Sequence, residues 1–147
     1  MADIKKILCA VDFSEYSPMV ADYAVTLAKG LGAQITALYV APGLGQYMGF
    51  DAAPASVENF IGELVAGAEK TMDAFLTENF TDVKAEGKVA SGYADEEILG
   101  MADKGNADMI VMGTHGRKGI DRILFGSVAE KVVKRAKCPV LTIRPMK

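Results

Sequence analysis

Four short apolar runs and one alternating segment are interleaved along this 147-residue chain with stretches whose apolar residues recur at helical spacing. That order restricts the possible folds more than any other feature. Ile4 to Val11 is short, has no helical period and stops at Asp12, as does a strand buried on both faces. Gln34 to Val40 repeats the signal with β-branched and aromatic residues and ends at Ala41, Pro42 and Gly43. Ala107 to Met112 runs straight into Gly113, and Val140 to Ile143 follows Pro139. Between them, Val83, Ala85, Gly87 and Val89 alternate with Lys84, Glu86 and Lys88, the pattern of an edge strand with one wet face.

The intervening stretches read as helices. Ser17 and Pro18 form an N-cap followed by proline at the first helical position, ahead of Val20, Ala24, Leu27 and Leu31, with Gly30 and Gly32 as stops. From Pro54 to about Phe80 the residues Val57, Phe60, Ile61, Leu64, Val65, Ala68, Met72, Phe75 and Leu76 trace one apolar stripe, which predicts a long helix with an ordinary core face. Asp95, Glu96 and Glu97 suit the positive end of a short helix closing at Gly105, and Lys134, Arg135 and Lys137 suit the negative end of a last helix from Ser127 to Lys137. The segment from Ala41 to about Ala53, with Tyr47, Met48 and Phe50, fits a long connection and is a candidate lid.

Strands alternating with helices imply a parallel sheet, because parallel neighbours need crossover connections, and those are right-handed. The length suits one α/β domain spanning residues 1–147, with helices on both faces. A net charge of −3 and the lack of a dense basic run give no electrostatic footprint for nucleic acid. The apolar residues before Asp12 are too few for a signal-peptide core or a membrane span, so a cytoplasmic protein with no membrane partner is expected. Cys9 and Cys138 have neither metal-ligand nor disulfide spacing and read as small apolar residues. His115 is the one histidine, which rules out a multi-histidine zinc site; flanked by turn residues, it is expected to face solvent.

In an open α/β sheet, ligands bind beyond the carboxyl ends of the strands, where the strand order reverses. The candidate positions are therefore Asp12, Val40, residues 91–93 and everything from Met112 and Gly113 onward. The run Met112-Gly113-Thr114-His115-Gly116-Arg117-Lys118-Gly119, followed by Gly126-Ser127-Val128, puts glycines between a buried strand and a helix start. Glycine there allows backbone N–H groups close to an anion, and the helix N-terminus adds a positive partial charge. On spacing alone a plainer reading stands equal: Ser127-Val128-Ala129-Glu130 is a good capping box, and the glycines are turn residues. Neither G-x-x-x-x-G-K-[ST] nor G-x-G-x-x-G occurs.

Gly113-x2-Gly116-x9-Gly126-Ser127 resembles the G-x2-G-x9-G-[ST] pattern of the ATP-binding universal stress proteins. Ile7 to Ser14 is similar to that family's opening strand and D-x-S turn, and Gly126 to Pro145 to its closing segment. The resemblance implies a flavodoxin-like strand order 3-2-1-4-5 with ATP lying across the first and fourth strands. It assigns Gly113, Gly116, Gly126, Ser127 and Val128, with Met112 beside them, to the phosphates and ribose. Asp12 matches the acidic residue near ribose and adenine, and Val40 a position whose backbone meets the adenine. Arg117, with Lys118 and Arg122, lies where it could neutralise outer phosphates, Mg²⁺ bridging the rest, or remain a solvated surface charge.

No nucleophile and base occur together, so at most a weak ATPase or autokinase is expected, with Ser127 and Thr114 as the nearest hydroxyls. The function implied is a nucleotide-dependent regulatory or stress-response module. The alternative is an interaction protein that works as a homodimer. Val140 to Ile143 would form an apolar sheet edge in the implied order, and a homodimer joined through it is expected.

Overall fold

The computed structural model describes residues 2–43, 54–115 and 125–145. In chain order the elements are β1 (Lys6–Ala10), α1 (Ser17–Leu31), β2 (Gln34–Ala41), α2 (Pro54–Asn79), β3 (Ala85–Ser91), α3 (Ala94–Lys104), β4 (Met109–Gly113), α4 (Ser127–Arg135) and β5 (Val140–Ile143). The five strands form one parallel sheet in the order β3-β2-β1-β4-β5, the order that the resemblance implies. β1 sits at the centre, with Ile7 opposite Ile35 of β2 and Met109 of β4. The two edges are β3, whose outer residues are wet, and β5.

The period of two along each strand divides the core. Ile7, Cys9 and Val11 join Ile35, Ala37 and Val111 under α1 and α2, whereas Leu8, Leu38, Ile110 and Met112 join Ile98, Ala129 and Val132 under α3 and α4. Both faces of the central strands are therefore apolar, which is why their sequences read as uninterrupted runs. Cys9 is wholly buried, and burial pushes its thiol up to about 12. It stays protonated and packs as a small apolar residue.

Two expectations need correction. Ser17 does not cap α1. Tyr16 is the N-cap, in a helical conformation with φ −90° and ψ −12°, and no side chain closes the end; the Ser17 hydroxyl is drawn instead to Asp12. The stripe on α2 is core only in its second half. Ala68, Met72 and Phe75 are buried, but Phe60 is 47% exposed. The cause is length: 26 residues span about 39 Å as a helix, while eight-residue β2 spans about 26 Å. The first turns of α2 thus overrun the strands they start from.

Asp108, just before β4, ties the chain's start to the sheet. Its Oδ2 accepts the N–H groups of Lys5 and Lys6, each at 2.9 Å. Those two donors hold its carboxyl below the ordinary value of 3.8. Cys138 precedes Pro139 and β5, and burial pushes its thiol up as well.

Candidate functional site

β1 and β4 are neighbours whose crossovers leave in opposite directions, β1 toward β2 and β4 toward β5. Their carboxyl ends diverge, and a cleft of about 400 Å³ opens between them. Its floor is apolar, made by Ala10, Val11, Leu38, Ile98 and Met112. Its polar lining is Asp12, Ser14, Ser17, Thr114, His115 and Ser127, of which Ser17 and Thr114 are buried. That division suits a ligand with one flat apolar part and one hydrogen-bonding part.

The first wall is the turn after β1. Asp12 Oδ1 accepts the Ser14 N–H at 2.9 Å and the Ser17 hydroxyl at 3.1 Å. Between them Phe13 takes φ 58°, a left-handed conformation that an aromatic residue adopts at a cost. Its ring stacks on Tyr39 at 4.5 Å between centroids and meets Phe75 edge-on at 5.7 Å. This packing holds the turn in shape.

The opposite wall is where β4 ends and α4 begins. Gly126 N–H donates to Thr114 O at 2.6 Å, and Thr114 N–H to Ile143 O at 2.9 Å. A Cβ on Gly126 would sit 3.1 Å from Thr114 O, so the two segments approach as closely as they do because residue 126 has no side chain. Gly126 is also the N-cap of α4, extended at φ −70° and ψ 166°, with no side-chain cap hydrogen bond. The first intrahelical bond is Glu130 N–H to Gly126 O at 3.0 Å. The N–H groups of Ser127, Val128 and Ala129 lie ahead of it, at the positive end of the helix dipole. All three residues line the cleft. The capping-box reading of Ser127 therefore fails: Ser127 is the first helical residue, not the cap.

Of the nine candidate positions, the cleft brings together Asp12, Val40, Met112, Gly113, Gly126, Ser127 and Val128. Gly116 and Arg117 lie outside the described residues, as do Lys118, Arg122 and the Tyr47, Met48 and Phe50 segment. Residues 91–93 do not reach it. β2 and β1 both lie between β3 and β4, and Ser91 instead donates its hydroxyl to Pro42 O at 3.1 Å; Ala94 and Ile98 of α3 take the place beside the cleft. His115 does not simply face solvent either, since Nδ1 is 2.9 Å from the buried Thr114 Oγ1 and the residue lines the cleft. Sequence reasoning missed Ser14, Tyr16, Ser17 and Val20 as lining residues. The D-x-S-x-x-S spacing from Asp12 carried that signal, because it sets two hydroxyl residues within reach of one carboxylate.

Asp12 is the one carboxylate among the described lining residues, and none of those is lysine or arginine. No group of three or more His, Cys, Asp or Glu side chains among the described residues could hold a metal ion. No helix among them is long and apolar enough to cross a membrane.

Comparison with known proteins adds the following. The model of the universal stress protein family matches residues 3–144. Among curated proteins no sequence match was found. Universal stress protein UspA from Lactobacillus plantarum superposes with a TM-score of 0.83 and 26% identity, over 98% of this chain and 100% of that one. The universal stress protein from Archaeoglobus fulgidus in complex with dAMP gives a TM-score of 0.69 and 21% identity, over 97% of this chain and 99% of that one. A universal stress protein in complex with cAMP gives 0.67 and 24%, over 95% and 96%.

Proposed function

Because the chain belongs to the universal stress protein family, we propose that its cleft binds an adenine nucleotide, with ATP accompanied by Mg²⁺ as the ligand. Occupancy then sets the state of a regulatory module in the cytoplasm. One observation carries the reading: seven residues singled out from sequence line a single cleft against the uncapped start of α4. The complexes of structural neighbours with dAMP and cAMP support an adenosine ligand.

Each part of the cleft has work of the right chemical kind. The apolar floor takes a purine, and the backbone at Val40 reads its edge. Asp12 accepts hydrogen bonds from ribose hydroxyls. The N–H groups of Ser127 and Val128, reinforced by the helix dipole, take the phosphates. Gly113 and Gly126 keep side chains out of that approach, and Met112 walls the floor. Gly116 and Arg117 complete the phosphate side in this reading. The described residues offer no carboxylate cluster for a metal, so Mg²⁺ would come with the phosphates it bridges. Thr114 Oγ1 lies 2.9 Å from His115 Nδ1 at the cleft, and the turnover that this reading allows is slow, limited to hydrolysis or transfer to the hydroxyl of Thr114 or Ser127.

Thermal unfolding tests this. ATP with Mg²⁺ at a hundred times its Kd should add about 2.7 kcal/mol, a rise in the midpoint of about 5–10 °C for a chain of this size. No shift with any adenine nucleotide at millimolar concentration would leave the interaction-protein reading standing instead.

The partner proposed is a second copy of the chain. β5 ends the sheet with Val140, Leu141, Thr142 and Ile143, and an apolar edge with unpaired backbone groups invites pairing. Light scattering should give twice the chain mass, and a monomer at every concentration would remove the claim.

A further inference from the structure

Ser17 is 2% exposed, the most deeply buried polar residue among the described residues that line the cleft. Three described helical threonines turn back onto their own helix: Thr26, Thr71 and Thr77 donate to the carbonyls of Asp22, Gly67 and Asp73 at 2.9, 3.1 and 3.1 Å. Ser17 opens α1, so no carbonyl of its own helix lies a turn before it, and it does not cap the helix. Its hydroxyl leaves the helix and donates to Asp12 Oδ1 at 3.1 Å. The Ser14 N–H reaches the same oxygen at 2.9 Å.

The last torsion of an aspartate is broad and nearly two-fold, so each added donor narrows the range of the carboxylate plane. Here two donors, one from the turn and one from α1, converge on a single oxygen. The plane is fixed by two elements at once. A carboxylate so fixed can be aimed at adjacent hydroxyls, and a site built to bond hydroxyls discriminates strongly against a ligand that lacks them.

We infer that Ser17 is a positioning residue: it aims Asp12, and so sets the cleft's preference for nucleotides with intact sugar hydroxyls over those without. This rests on the nucleotide reading above. The test compares Kd for ATP and for 2′,3′-dideoxy-ATP by calorimetry, at fixed Mg²⁺, in the natural chain and in Ser17→Ala, Asp12→Ala and the double variant. The natural chain should prefer ATP by about 10-fold, about one charge-assisted hydrogen bond. Ser17→Ala should cut that preference by about threefold or more while changing Kd for the dideoxy compound less than about twofold. On the Asp12→Ala background the Ser17 change should alter neither, since its effect passes through Asp12. A purely structural role would raise both Kd values together.

An unchanged preference in Ser17→Ala, or a parallel rise in both values, overturns this inference and leaves the nucleotide reading intact. A natural chain that binds neither compound overturns both. Should the alanine variant fold poorly, Ser17→Cys fills the same space with a weaker donor. Its preference should fall below that of the natural chain, and an unchanged value there overturns the inference.

Discussion

Replacing Gly126 by valine should raise Kd for ATP at least about 100-fold, equivalent to about 2.7 kcal/mol, in a chain that still folds. The dihedrals at this residue, φ −70° and ψ 166°, are open to valine, so the backbone itself is not strained. The difficulty is space. A Cβ here would lie 3.1 Å from Thr114 O, a backbone atom that cannot rotate away, and in ordinary contact with His115 Cα at 3.9 Å, before the two methyl groups of valine are added. The start of α4 should shift from the end of β4 by a few tenths of an ångström or more, which strains the 2.6 Å bond from Gly126 N–H to Thr114 O. With it go the N–H groups of Ser127 and Val128, the donors proposed for the phosphates. Overpacking of this kind costs about 1–3 kcal/mol, within the stability of an ordinary domain. Circular dichroism should therefore show a folded variant whose ATP titration is flat. Gly126→Ala should fall between the two. A valine variant with natural affinity would take the start of α4 out of the binding site.

The sequence made the sheet legible because both faces of its central strands are covered. Ile7 and Cys9 point to one layer and Leu8 to the other, so the run around them is apolar throughout and cannot be mistaken for an amphipathic element. The strand order was a different matter. Periodicity says nothing of which strand neighbours which; the resemblance carried at Gly113, Gly126 and Ser127 supplied that. At the cleft, Asp12, Gly113 and Gly126 were readable because each sits where a strand ends or a helix begins, and each has a chemistry that such a place calls for.

What was not legible depends on how the elements end and pack in three dimensions. The N-terminal half of α2 shows the same stripe as the rest, and only the length of the strands beside it decides that Phe60 is half exposed. Ser17 before Pro18 has every local mark of a cap. The helix begins one residue sooner than that mark implies, with Tyr16 as its N-cap, so Ser17 is already helical and its hydroxyl donates to the Asp12 carboxylate. His115 looked like a turn residue because its sequence neighbours are turn residues, and nothing local signals that Thr114 is buried with its hydroxyl 2.9 Å from the imidazole Nδ1.

Phe13 offers the second large effect, and one with an unusual ranking. Truncation to alanine should destabilise the chain by about 2–4 kcal/mol, somewhat less than a fully buried phenylalanine, because Phe13 is only partly buried. The ring's contacts with Tyr39 and Phe75 are lost, and nothing on the turn replaces them. Alanine also keeps the left-handed strain at φ 58°, which costs about 1–2 kcal/mol in any residue with a Cβ. Glycine loses the same ring but sheds that strain, at the expense of about 0.4–1 kcal/mol of extra freedom in the unfolded chain. Phe13→Gly should accordingly be less destabilising than Phe13→Ala by up to about 1 kcal/mol, the reverse of the order at an ordinary backbone position. Urea unfolding of the two variants decides it. If glycine proves the worse of the two, the turn carries no strain for the ring to hold, and the rings of Tyr39 and Phe75 serve the core alone rather than the placement of Asp12.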